Sequence, residues 1–347
     1  MFFASDNTGP VHPDVMAALA AANTGYAPGY GADALMDEVR ERIRTVFEAP
    51  EAAVYLVATG TAANSLALAT LSDPWSTVFC SPVAHIQEDE CNAPEFFSGG
   101  AKLTLVPGGD RMTPEALRAT IAGEETRGVH GPQRGPVSIT NVTERGTVYS
   151  ASDVAALCAV AREFDLPVHL DGARFANALV ATNATPAEMT WRAGVDALSF
   201  GGTKNGCMGV EAVVFFDPKQ AWEFELRRKR GAHLFSKHRY LSAQMAAYVT
   251  DDLWLRLARK ANDGAARLAQ GLKAAGAGFE WEPQANMLFP SFPRRLHKAL
   301  HEAGAQYYVW EGDLDGSDPE EALTARLVCD WSVSDESIDS FLDVLRS

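Results

Sequence analysis

Four stretches of the sequence carry side chains that could do chemistry together. Ser199-Phe200-Gly201-Gly202-Thr203-Lys204-Asn205-Gly206 sets Lys204 between an apolar run and a glycine-flanked turn, whereas the other seven of the eight lysines stand in polar or basic surroundings. A lysine held away from water is a nucleophilic amine, able to form a Schiff base with an aldehyde. The plainer reading, an exposed loop lysine, is disfavoured by its glycine neighbours. Val168-His169-Leu170-Asp171-Gly172-Ala173-Arg174 ends an apolar strand on a carboxylate. Residues two apart in a strand share a face, so His169 and Asp171 point together. A buried carboxylate needs a cation or hydrogen bonds, and Arg174 could supply them. A His-x-Asp metal pair is the weaker alternative, because no third ligand stands at useful spacing, and no metal site is expected. Thr59-Gly60-Thr61-Ala62-Ala63-Asn64 follows a strand and opens a helix. Its free N–H groups and hydroxyls make either an anion cradle or a plain turn capped by Thr61. It has neither the lysine nor the spaced glycines of nucleotide loops. His85 follows a further strand, and Glu88, Asp89 and Glu90 after it read as a solvated helix face.

These groups meet the needs of one cofactor. Pyridoxal 5′-phosphate requires an amine for its aldehyde, a carboxylate for its ring nitrogen, a phosphate cradle and a partner for its ring face. Lys204, Asp171, Gly60 with Thr61, and His85 answer these in turn.

The elements that must position them alternate. Strands are expected at Ala53–Ala58, Thr77–Ser81, Lys102–Val106, Val137–Asn141, Pro167–Asp171, Ala197–Phe200 and Ala212–Phe216, with helices such as Ala62–Leu71 and Ala151–Phe164 between them. This pattern predicts an α/β fold with a mostly parallel sheet covered on both faces, and ligands bind beyond the carboxyl ends of such strands. One long basic and aromatic helix is expected from Gln220 to Ala247, then a helix over Leu253–Ala275. Short strands near Met287–Phe289 and Ala325–Cys329 and helices at Arg294–Ala303 and Asp335–Leu345 follow. The reading is an N-terminal arm over 1–14, a large domain over 15–245 and a smaller α+β domain over 246–347.

The length of 347 residues suits two domains, and a 47% apolar content can bury a core. A formal charge of -15 repels phosphate backbones and argues against nucleic-acid binding. Five scattered cysteines (Cys80, Cys91, Cys158, Cys207, Cys329) fit reduced thiols. No Lys or Arg precedes Arg40, so no signal peptide is read, and the uncharged run Ala52–Leu71 carries too many polar groups to span a membrane. The expectation is a cytoplasmic protein.

The residues in this order resemble the fold-type I pyridoxal-phosphate enzymes, and among them the low-specificity L-threonine aldolases of the β-eliminating lyase group. The resemblance covers nearly the whole chain. It runs through Ser5-Asp6-Asn7-Thr8, Tyr30-Gly31, Gly60-Thr61 with Asn64, Ala84-His85, Asp171-Gly172-Ala173-Arg174, Thr203-Lys204, Asn286-Met287-Leu288-Phe289 and Arg326-Leu327-Val328. It implies that Lys204 carries the cofactor, Asp171 binds its ring nitrogen, His85 stacks on its ring, and Gly60, Thr61 and Thr203 bind its phosphate. Ser5, Arg174 and Arg326 would grip the substrate carboxylate, so that Arg174 serves substrate rather than Asp171. The base for the β-hydroxyl is expected to be His85, with His130 second, while His297 and His301 read as surface residues. The implied reaction cleaves β-hydroxy-α-amino acids to glycine and an aldehyde; other eliminations or racemisation, or a non-catalytic cofactor sensor, are the alternatives. Two departures stand out. The family's Asn-Thr-His-Asn is replaced by Asn141-Val142-Thr143-Glu144-Arg145, with no histidine. The basic residues that relatives bring to the phosphate from a neighbouring subunit of a homo-oligomer, read as a tetramer, match Lys229 and, approximately, Lys237.

Overall fold

The computed structural model describes residues 1–346. Seven strands form the larger sheet: β1 (Ala53–Val57), β2 (Ser76–Cys80), β3 (Lys102–Leu105), β4 (Gln133–Thr140), β5 (Val168–Gly172), β6 (Ala197–Gly201) and β7 (Glu211–Phe215). Their order across the sheet is β1-β7-β6-β5-β4-β2-β3. The five parallel-running central and edge strands β6, β5, β4, β2 and β3 pair in parallel, while β7 is antiparallel to both β1 and β6. The physical reason lies in the connections. The parallel strands are joined by helical crossovers, but only residues 202–210 join β6 to β7, too few for a crossover. Strands β2, β5, β6 and β7 are buried along their whole length, as helices on both faces demand. On one face Phe200 packs edge-on against Trp254 (5.3 Å between ring centroids) and Phe47 stacks on Phe175 (5.7 Å).

The smaller sheet is antiparallel and holds β8 (Gly278–Phe279), β9 (Met287–Leu288), β10 (Pro290–Pro293), β11 (Tyr308–Glu311) and β12 (Ala322–Val328). Helix Leu253–Ala274 serves both parts: Leu253, Trp254, Leu257 and Ala258 join the core of the large sheet, and Ala265, Leu268, Ala269 and Leu272 that of the small one. The first residues of the chain are tied to the small sheet, with the Phe3 N–H donating to Gln306 and the Val328 N–H donating to the Phe3 carbonyl.

Two expectations are corrected. The single helix expected over Gln220–Ala247 is two, Ala221–Arg230 and Arg239–Val249. The chain turns at Gly231, where a Cβ would stand 3.1 Å from Phe97, and Ala232 has a positive φ of 63°. His297 is not a surface residue: it is fully buried, hydrogen-bonded to the Leu323 carbonyl (3.0 Å) and the Tyr307 hydroxyl (3.1 Å), and stacked on Phe292. His301 is half-buried and stacks on Tyr307.

Candidate active site

The carboxyl ends of β1, β2, β4, β5 and β6 and the start of β7 meet around one cavity of about 260 Å³. It is lined by Gly60, Thr61, His85, Asp171, Arg174, Thr203 and Lys204, so most of the chemistry-bearing residues named from the sequence do converge.

Lys204 sits on a single turn of 3-10 helix, Thr203–Asn205. That turn is fixed from below. The Asn205 amide donates to the Tyr248 hydroxyl and the Trp254 carbonyl, both at 2.8 Å, and the Tyr248 hydroxyl donates to the Gly201 carbonyl. Gly206 closes the turn at a φ of 101°, where a Cβ would lie 2.8 Å from Leu257. The Lys204 ammonium makes no hydrogen bond or ion pair with the described residues and is left to the cavity.

Asp171 is 2% exposed and its carboxylate is satisfied without a cation: Oδ2 accepts from the Asn64 amide (2.9 Å) and Oδ1 from the Ala173 N–H (3.0 Å). The same Asn64 amide donates to Glu90 (2.9 Å), and Glu90 accepts from His85 Nδ1 at 2.9 Å. Glu90 is therefore no part of a solvated face. It is 4% exposed, while Glu88 and Asp89 are exposed. Its hydrogen bond, against the effect of burial and with help from Asp171 and Glu144, raises the His85 pKa above the ordinary histidine value. His169 shares the Asp171 face but not its role. Both ring nitrogens are taken, by the Ser138 and Ser199 hydroxyls at 3.0 Å, and burial pushes its pKa down to about 4. That neutral, fully used imidazole removes the His-x-Asp metal reading. Among the described residues no group of three or more His, Cys, Asp or Glu is placed to hold a metal ion.

The helix Gly60–Leu71 points its N-terminus at the cavity. Its cap is Thr59, whose hydroxyl accepts from the Ala62 N–H, and not Thr61. The N–H groups of Gly60 and Thr61 are left over, and a Cβ built on Gly60 would meet nothing within 4 Å. This open, positively polarised end is suited to an anion. The Thr203 hydroxyl beside it accepts from the Val210 N–H and bonds Glu211.

Arg174 lines the cavity and, as expected, is not the partner of Asp171, but it does not stand free. It is 4% exposed and grips Asp6 in a bidentate pair, at 2.6 Å and 2.9 Å. Burial pushes the Asp6 carboxyl up, but the charges of Arg174 and Lys204 and the hydrogen bonds from Arg174 and Asn286 bring it below the usual range. Arg326, on β12, donates to the Ala4 carbonyl (3.2 Å). Burial first, and then the Arg174 charge, push its pKa below the ordinary arginine value. Ser5 does not line the cavity; its hydroxyl accepts from the Asn7 N–H, and Asn7 is the arm residue that reaches the cavity wall. His130 is a clear correction. It lies exposed on the turn Gly128–His130 at the opposite end of β4, because the glycines around it carry the chain over the surface. Lys229 and Lys237 are exposed and outside this cavity; Lys229 lies over the Tyr30 ring at 4.8 Å, and Lys237 borders a surface groove with Met16, Met208 and Phe235.

Three carboxylates of the site, Glu90, Glu144 and Glu211, carried no sequence signal of burial. Glu211 opens β7 and accepts from the Gly202 N–H (2.8 Å). Burial pushes its carboxyl up to about 7, although Thr203, Gly202 and Lys204 oppose this. Between the ordinary value of 4.5 and about 7 the folded cofactor-free protein holds a proton there that the unfolded chain releases. Stability is therefore expected to fall as pH rises through that window. Glu211→Gln removes the dependence, so its stability relative to wild type should improve by roughly 3 kcal/mol between pH 5 and pH 8.5. Urea denaturation at the two pH values measures this, and an equal shift at both would refute it.

The assembly sets an amine, a carboxylate and an open helix end around one cavity in an α/β fold, an arrangement suited to an anionic, carbonyl-bearing group. A family model described as β-eliminating lyase matches residues 3–292, and the chain belongs to that family. It is 39% identical over 348 residues to a low specificity L-threonine aldolase of Pseudomonas sp. (strain NCIMB 10558), covering 99% of this chain and 97% of that one. A low specificity L-threonine aldolase of Pseudomonas aeruginosa is 38% identical, covering 97% and 94%. The solved structure of Leishmania major threonine aldolase aligns with a TM-score of 0.92 at 28% identity, covering 99% of this chain and 98% of that one. The architecture is fold-type I, as the order of motifs predicts.

Proposed function

We propose that the protein is a pyridoxal-phosphate-dependent carbon–carbon lyase. It cleaves L-threonine, L-allo-threonine and related β-hydroxy-α-amino acids to glycine and an aldehyde. One observation carries this reading: a free amine (Lys204), a hydrogen-bonded carboxylate (Asp171) and an open helix end (Gly60) face a single cavity. The residues present fit the cofactor. The Asn64 carbonyl oxygen and Glu90 Oε2 are buried without partners at this wall, and the empty space before Gly60 is of the kind a phosphate fills.

When bound, pyridoxal 5′-phosphate supplies an electron sink conjugated to the substrate's Cα. Lys204 is the amine for its aldehyde. Asp171, oriented by the hydrogen bonds from Asn64 and Ala173, would be the partner of the ring nitrogen. The Gly60 and Thr61 N–H groups, with Thr203, would bind the phosphate. His85, braced by Glu90 and with its pKa raised by that hydrogen bond, would be the group for the ring face. Arg174, fixed by Asp6, and Arg326 would form the seat for the substrate carboxylate. Two guanidinium groups close enough for one to depress the other gain from an anion between them. A carboxylate held there would keep the Cα–carboxylate bond from being the one that breaks.

Incubation with threonine, allo-threonine, serine and phenylserine, with assays for aldehyde, glycine and pyruvate, tests the reading. Aldehyde and glycine from threonine support it; pyruvate from serine without aldehyde from threonine would replace it with β-elimination. Arg326→Ala should raise KM for amino acids by about 10–100-fold, the worth of a charged hydrogen bond, while the visible absorption of bound cofactor persists. Loss of the cofactor instead would assign Arg326 to phosphate.

We also infer a cytoplasmic homo-oligomer, a tetramer, whose neighbouring chain brings Lys229 and Lys237 toward the phosphate. Their exposure outside their own chain's cavity supports this, as does the exposed apolar rim of Met16, Met208 and Phe235 beside Lys237. No helix among the described residues is long and apolar enough to cross a membrane. Light scattering tests the assembly, and an active monomer would contradict it.

A further inference from the structure

Four carboxylates line the cavity, and three are already engaged. Asp171 accepts from Asn64 and Ala173, Glu90 from Asn64 and His85, and Glu211 from Gly202 with Thr203. Glu144 alone makes no hydrogen bond and no ion pair with the described residues. Resting on the lyase reading above, we propose that Glu144 is the base that takes the proton from the substrate's β-hydroxyl.

The backbone beneath Glu144 is rigid. The chain leaving β4 makes a β-turn in which the Gly146 N–H donates to the Thr143 carbonyl (3.0 Å), placing Glu144 at the second position. On one side Asp110 accepts from the hydroxyls of Thr143 and Thr147. On the other, the Arg145 guanidinium is held between the Trp281 and Trp310 rings, 4.8 Å from each. Gly146 has a φ of 77°, and a Cβ there would come within 2.9 Å of the Met287 carbonyl oxygen. Such anchoring serves a side chain whose own end must stay free.

The competing base is engaged. His85 has Nδ1 on Glu90, and that hydrogen bond raises its pKa above the ordinary histidine value, so at a given pH less of it is in the neutral form that accepts a proton. Charged groups face Glu144 from each neighbouring element: Arg174 and Asp171 from the end of β5, Lys204 after β6, His85 after β2, and Arg326 from β12. Burial raises its carboxyl above the usual range, with Asp171 adding and Arg174, Lys204 and His85 opposing. A carboxylate raised toward working pH is a stronger base than a solvated one.

The step balances without an oxidant. The β-hydroxyl proton passes to a Glu144 oxygen, and the O–H electron pair becomes the second C–O bond of the aldehyde. The Cα–Cβ bond breaks, leaving its pair at Cα. A proton from the Lys204 ammonium fills that position and gives glycine, and both side chains re-equilibrate with solvent.

Glu144→Gln in the holoenzyme tests the assignment. Threonine cleavage should fall by about 100-fold or more in kcat, with KM little changed. Exchange of the glycine α-proton in D2O, which involves no β-hydroxyl, should stay near wild type, as should cofactor absorption. Glu144→Asp should restore part of the activity, and the acidic limb of the wild-type pH profile should vanish in Glu144→Gln. In the cofactor-free protein, difference infrared spectra should lose one carboxyl band that titrates above the usual range. Wild-type cleavage by Glu144→Gln, or joint loss of cleavage, glycine exchange and absorption, would overturn the base assignment. A wild type that exchanges the glycine proton yet releases no aldehyde from threonine would overturn the lyase reading itself.

Discussion

Lys204→Ala should bind no cofactor covalently and lose turnover by roughly 10⁴-fold or more, the scale set by deleting a nucleophile that acts as part of a unit. No other lysine lines the cavity, so nothing can stand in for it. The fold should survive, because the Lys204 side chain makes no hydrogen bond or ion pair with the described residues and its turn is held by Asn205, Tyr248 and Gly206. Its charge is felt by the buried carboxyls of Asp6, Glu144 and Glu211. Lys204→Arg separates the two contributions. A guanidinium keeps the positive charge but is not nucleophilic at neutral pH, so this variant should be equally inactive while titrating more like wild type. Visible absorption, steady-state cleavage of threonine and circular dichroism read the three effects. Substantial turnover in either variant would remove Lys204 from the chemistry.

Asp6→Ala should be the most destabilising single change at the site. Arg174 is buried, and Asp6 is its bidentate partner. Removing one member of a buried pair strands the other charge, which costs about 3–5 kcal/mol. Asp6 also accepts from Asn286, so the same change loosens the chain opening from the loop before β9. The loss should appear as a lower denaturation midpoint and as a raised KM, because the Arg174 guanidinium plane at the cavity is no longer fixed. The substrate's own carboxylate can partly replace the missing charge, so saturating amino acid should recover part of the lost stability. A midpoint within about 0.5 kcal/mol of wild type would show that Arg174 finds another partner and that Asp6 is not what orients it.

Much of the site is legible in the sequence because its signals are local. An apolar run ending on Asp171-Gly172, another ending on Gly201-Gly202 before Lys204, and a third passing into Gly60-Thr61 each state strand, stop and reactive group within about ten residues. In an α/β sheet, strand ends lie along one edge, so these groups must meet. His130 fails as a candidate for the same reason: it precedes β4, at the wrong end of its strand.

What the sequence by itself determined was the alternation of strands and helices, the cofactor-type chemistry and the residues at the strand ends. Tertiary structure decided which charges are buried and with whom. Glu90 looked like the third of three solvated acids until Asn64, 26 residues away in sequence, and His85 enclosed it. Arg174 read as a grip for substrate, and no local pattern showed that Asp6, 168 residues away, holds its Nε and one terminal nitrogen. His297 read as a surface residue until Phe292 and Tyr307 closed over it. The cost of a buried charge depends on the distance to its counter-charge and on excluded water. Both are properties of the folded contact, set by residues that no local pattern can bring together.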